Sequence, residues 1–109
     1  MKIVLIGKNG LTEVKRAIPN LGRDRLHLRM EALLMPLSES EDDQNLYSAI
    51  PEETKLIGIS QKGKVILVEL SDEFLKAEDI EAASAQIRKT LSIAEDNLRI
   101  SIKVNDEII

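Results

Sequence analysis

Val65, Ile66, Leu67 and Val68 form a run that is apolar on both alternating faces, and such a run settles as a strand only where both of its sides find cover. It lies within residues 46–74, LYSAIPEETKLIGISQKGKVILVELSDEF, where Ile50-Pro51 leads into a predicted hairpin. The pattern predicts a strand over 54–60, a turn at Gln61-Lys62-Gly63 and a strand over 64–71 that is central in its sheet or covered on its second face. The stretch is rich in packing residues and poor in nucleophiles, metal ligands and phosphate-cradling glycines. It therefore specifies a module rather than a reaction.

The flanking patterns supply the remaining layers. Residues 2–6 are mostly β-branched and apolar, Asn9-Gly10 is a strong two-residue turn signal, and alternation resumes over 11–18. Leu11, Glu13 and Lys15 are expected to face one way, with Thr12, Val14 and Arg16 the other, before Pro19, Asn20 and Gly22 break the strand. A helix is predicted over 24–35 from Leu26, Met30, Leu33 and Leu34, and Pro36 stops it because the residue before a proline is pushed out of helical geometry. SESEDDQN at 38–45 reads as an acidic surface connection. A second helix over 77–92 carries Ile80, Ala83, Ile87 and Leu91 on one stripe. In the last strand Leu98, Ile100, Ile102 and Val104 alternate with Arg99, Ser101, Lys103 and Asn105, so one face meets water or a partner. The expected architecture is α+β, one domain over 1–109, with the order ββαββαβ: a mixed β-sheet with two helices on one face.

Composition narrows the functional classes. The 109 residues contain no cysteine, which removes disulfides, thiolate catalysis and cysteine-ligated zinc. Tyr47 and Phe74 are the sole aromatic residues, too few for a base-stacking platform or a sugar-binding groove. The net charge of −4 hides an asymmetry: residues 1–30 carry seven basic and two acidic side chains, +5, while the remainder carries eight and seventeen, −9. An electrically polar domain of this kind suits contact between its basic part and an acidic surface, and equally suits neutralisation within one molecule. The apolar run at 3–6 is shorter than a signal-peptide core or a membrane span, so membrane attachment is expected only through an anchor that this sequence does not carry.

Each candidate for chemistry has a plainer structural reading. Gly7-Lys8-Asn9-Gly10 matches the G-x-x-G clamp of KH domains, but that clamp joins helices and here it joins predicted strands in an acidic chain, so nucleic acid is not an expected partner. His27, flanked at two residues by Arg25 and Arg29, is expected to be a surface or half-buried helix residue without a catalytic partner. Glu39, Glu41, Asp42 and Asp43 lack the spacing and glycine of a calcium loop. Glu69, Asp72 and Glu73 have no opposed carboxylate that would make a hydrolase pair. No catalytic residue, metal ligand or cofactor is expected.

With these residues placed, the chain resembles the GerMN domain, a module of sporulation and spore-germination proteins that also occurs in other bacterial envelope proteins. The likeness rests on six pieces in order: Val14-x-Arg16 with Ile18-Pro19; Ala32-Leu33-Leu34 before Pro36; Leu46-x-Ser48-Ala49-Ile50-Pro51; Thr54-Lys55-Leu56; Val68-Glu69-Leu70-Ser71 with Phe74; and Gln86-Ile87-x-x-Thr90-Leu91. Met35 stands where a glycine often precedes the proline, and Glu69 replaces the more usual aspartate.

The resemblance implies a fold similar to the ring-building α/β domains of secretion-type assemblies. It also implies a non-catalytic interaction or assembly role in the bacterial cell envelope, through a protein partner or through head-to-tail self-association. The alternative is an accessory domain for cell-wall material, peptidoglycan above all, and behind it stands a KH-like nucleic-acid binder. Arg16, set among apolar neighbours, is expected to form a structural ion pair with Glu69. The expected interaction surface is the second face of the central strands, with Val65, Leu67, Arg99 and Lys103.

Overall fold

A computed structural model describes residues 1–18, 22, 24–93 and 95–109. Pro19, Asn20 and Arg23, which the sequence places at the strand break and in the basic N-terminal segment, lie outside the described residues.

The first hairpin pairs β1 (Lys2–Gly7) with β2 (Gly10–Lys15), Ile3 opposite Val14 and Leu5 opposite Thr12. Its turn requires Gly10, whose φ of +103° is costly for any residue with a Cβ. The inward row Thr12, Val14, Arg16 is the one that alternation predicts. Then come α1 (Arg25–Leu34), capped by the Asp24 side chain on the His27 N–H, and α2 (Glu39–Asp43). Strands β3 (Leu56–Lys62) and β4 (Val65–Leu70) form the second hairpin. A short 3-10 helix, Asp72–Lys76, leads to α3 (Ile80–Ser92), followed by β5 (Arg99–Val104) and β6 (Glu107–Ile108).

β3, β4, β5 and β6 make one mixed sheet in that order, antiparallel except for the β4–β5 pair. Ile57 is an extra residue between the Leu56 and Gly58 pairings, a bulge that leaves it 61% exposed. The hairpin β1–β2 forms its own two-stranded sheet. The predicted mixed sheet is therefore the second hairpin with the last strands, and the first hairpin joins the fold through the helices: α1 touches β1 and β3, α3 touches β1 and β5, and the two helices touch each other. One apolar cluster runs through all of it, from Ile3 and Leu5 to Met30, Leu33, Ile87 and Leu91, and on to Ile66, Val68, Ile102 and Phe74. Aliphatic residues build this core almost alone, as the composition requires.

The acidic stretch expected to be a loop is in part helical. Ser38 and Glu41 form a capping box, with Ser38 Oγ accepting from the Glu41 N–H at 3.1 Å and Glu41 Oε1 accepting from the Ser38 N–H at 2.9 Å. Glu41 turns inward and is buried.

Candidate interaction surface

Alternation along β4 and β5 sends Ile66, Val68, Leu70, Ile100, Ile102 and Val104 into the core. The intervening residues all point the other way, because cross-strand partners share a face. Register aligns Lys62 with Val65 and Arg99, Ser60 with Leu67 and Ser101, and Gly58 with Glu69, Lys103 and Ile108. Val65, Leu67, Arg99 and Lys103 are thus brought together on the sheet face opposite the core, which no helix covers among the described residues. Val65 is 43% exposed and Ile108 60%, whereas Leu67 is half-buried between its neighbours. The sequence expectation for β4 is met by its central position: strands on both sides, helices on one face, and only side-chain neighbours on the other.

The charges on this face run against the acidic balance of the C-terminal two-thirds of the chain. Lys62, Arg99 and Lys103 outnumber Glu69, which lies 3.8 Å from Lys103 Nζ. Lys103 also approaches Asp106 at 3.4 Å. At the hairpin end, Lys64 pairs with Glu95. Exposed pairs of this kind contribute roughly 0–1 kcal/mol each and leave the face free to exchange partners. Acidic residues lie elsewhere: Glu52, Glu78 and Asp79 border one hollow together with Lys76, and Glu81 follows in the first turn of α3. The basic residues of this face are thus distinct from the basic N-terminal thirty residues that set the charge split in the sequence.

Arg16 does not pair with Glu69. Because Glu69 alternates with core residues on β4, its carboxylate lies on the open face, while Arg16 points inward from the end of β2. Its partner is Glu41: Arg16 Nε and Nη2 donate to the two Glu41 oxygens at 2.9 and 2.7 Å, a bidentate pair. Arg16 Nη1 also donates to the carbonyls of Ala32, Leu33 and Met35 at 2.7, 3.3 and 3.0 Å. A buried cation thus satisfies the last carbonyls of α1 and the negative end of its dipole. The Arg16 guanidinium, chiefly through these hydrogen bonds, holds the Glu41 carboxyl below the ordinary carboxylate range against the opposing effect of burial. The S-x-x-E spacing at Ser38–Glu41 is the signal that marks this helix start in the sequence.

A second buried hub joins α3 to β1. Gln86 and Thr90, one turn apart and fully buried, reach the outer edge of β1: Val4 N–H donates to Thr90 Oγ1 at 3.0 Å and Val4 C=O accepts from Gln86 Nε2 at 3.1 Å. Gln86 Oε1 accepts from Ala49 N–H at 2.6 Å, and Tyr47 completes the edge by exchanging two backbone bonds with Ile6. An edge that would otherwise invite another strand is closed by side chains. His27 is half-buried and meets Glu31 at 3.2 Å one turn away. Among the described residues no group of three or more acidic or histidine side chains is placed to hold a metal ion, and no helix is long and apolar enough to cross a membrane.

The family model for the Germane domain, described as sporulation and spore germination, matches residues 6–109. The chain belongs to that family. Its fold is similar to the first GerMN domain of the sporulation protein GerM from Bacillus subtilis, with a TM-score of 0.71 at 17% identity over 99% of this chain and 84% of that one. No curated protein matches the chain in sequence. Three of the residues that carry the GerMN resemblance, Arg16, Gln86 and Thr90, are the ones that tie the layers of the domain together.

Proposed function

We propose that this member of the sporulation and spore germination family is a non-catalytic interaction domain of the bacterial cell envelope. The surface it offers is the uncovered face of the four-stranded sheet. The observation that carries this reading is the placement of Val65, Leu67, Arg99 and Lys103 on one open, net basic face of a sheet whose other face sends Ile66, Val68, Leu70, Ile100, Ile102 and Val104 into the core. A half-apolar sheet face with a charged surround is the composition of a partner-binding patch, not of a reaction site.

The acidic edge around Glu78, Asp79 and Glu81 is complementary to that face, so a second copy set head to tail can use both surfaces at once. A stable contact of this type buries about 800 Å² per partner. The total accessible surface is 6921 Å², so one open sheet face is ample in scale. Sedimentation velocity over rising concentration at low and high salt tests the reading. Association that weakens with salt and is lost in Val65→Asp with Arg99→Glu is the expected result. Monomeric behaviour under every condition, together with failure of that double variant to alter binding of any protein partner, is the contrary one.

A further inference from the structure

Away from the sheet face, two hollows meet along residues 47–52. One, of about 180 Å³, is walled by Leu34, Met35, Leu37 and Ile50. The other, of about 470 Å³, opens between Pro51 and the segment 76–79 that precedes α3. Tyr47, Ser48, Ile50, Pro51 and Glu52 line both, so the two form one continuous groove.

The two ends differ in chemistry. At the apolar end Met35 is 41% and Tyr47 55% exposed, large apolar surface left facing water beside a hollow. A cavity of about 150 Å³ accommodates a benzene molecule, so this end is scaled to one aliphatic or aromatic side chain. At the other end Glu52, Glu78 and Asp79 face a single cation, Lys76. Among the described residues neither Glu52 nor Glu78 has an ion-pair partner, while Asp79 Oδ1 already accepts from the Ala82 N–H.

We infer that this groove docks an extended segment of a partner protein that carries one aliphatic or aromatic side chain beside a lysine or arginine. The apolar residue fills the hollow next to Tyr47, and the cation answers Glu52 and Glu78. This goes beyond self-association: the groove shares no residue with the sheet face, although Glu78 and Asp79 also belong to the acidic edge offered there to a second copy, so Val65→Asp with Arg99→Glu should abolish self-association and leave peptide binding unchanged.

The test is selection of a displayed library of random octapeptides on the folded chain, followed by amide NMR titration with an enriched peptide. The expected result is enrichment of an aliphatic or aromatic residue within about three positions of Lys or Arg. Shifts should map to 47–52 and 76–79, and affinity should fall at least about tenfold in Glu52→Lys with Glu78→Lys. Both sites are exposed, so the variant retains its fold, which the same spectra verify. The inference is overturned by no enrichment over resin without protein, or by binding that the charge reversal leaves unchanged. Shifts confined to 65–69 and 99–103 would overturn the groove while supporting the sheet face. Occupation of the groove by a second copy of the chain would overturn the assignment to a partner segment.

Discussion

Replacing Arg16 with alanine removes a cation that five hydrogen bonds hold in place at 8% exposure, two to Glu41 and three to the carbonyls that end α1. The loss is larger than a deleted contact, because Glu41 keeps its charge in a buried site with the Ser38 backbone as its remaining neighbour. Breaking a buried pair from one side costs about 3–5 kcal/mol. A domain of this size has about 5–15 kcal/mol in all, so Arg16→Ala removes a large share of the stability. The corresponding fall in Tm is on the order of 15–30 °C. Urea unfolding followed by far-UV circular dichroism, suited to a chain without tryptophan, reads the change as a lower midpoint at unchanged slope. A double-mutant cycle then assigns the partner: Arg16 and Glu41 should couple by about 2 kcal/mol, and Arg16 and Glu69 by less than about 0.5 kcal/mol. A cost below about 1 kcal/mol for Arg16→Ala, or coupling to Glu69 in place of Glu41, would refute the reasoning.

Because the Glu41 carboxyl lies below its ordinary range when folded, its contribution is present in full above that range and is lost as pH falls through it toward the folded value. Glu41→Gln should therefore be less stable at neutral pH and show a shallower loss in thermal melts as the pH falls below the ordinary carboxylate range. Gln86→Leu orphans the buried Val4 carbonyl and the partly buried Ala49 N–H, at about 1–3 kcal/mol for each, and chemical denaturation should show a total of roughly 2–6 kcal/mol. Thr54 Oγ1 is buried with no hydrogen-bond partner, so Thr54→Val should be neutral or stabilising by up to about 2 kcal/mol. A destabilisation above about 1 kcal/mol in that variant would mean that the hydroxyl has a partner.

The layers of the fold are legible in the sequence wherever a residue's fate depends on its own neighbours. Alternation at 98–104 and the apolar run at 65–68 announce β5 and a central β4, and Pro36 ends α1 within a residue of the expected place. The second predicted helix starts at Ile80, the first residue of its apolar stripe, rather than at 77, because Asp72–Lys76 forms a separate 3-10 turn and Asp79 supplies the cap. Pairings that depend on how distant segments return are a different matter. Arg16 is readable as an inward arginine, but Glu69 and Glu41 are both carboxylates far along the chain, and only the face of β4 on which Glu69 falls decides between them. The open face is legible because period two places Val65, Leu67, Arg99 and Lys103 on it without knowledge of the rest. The Tyr47 groove is not, since Leu34, Pro51 and Glu78 are joined by packing alone.

The role of the open sheet face is tested most directly by a photo-crosslinking amino acid at position 65, where the native valine is exposed and the β4–β5 face is uncovered. The account predicts a light-dependent product that joins position 65 to a protein partner or to the acidic segment 72–81 of a second copy. Its yield should fall with salt and exceed that of the same probe at exposed Lys89 on α3. Equal yields at positions 65 and 89, with no discrete product from either, would contradict the claim that this face is where the domain works.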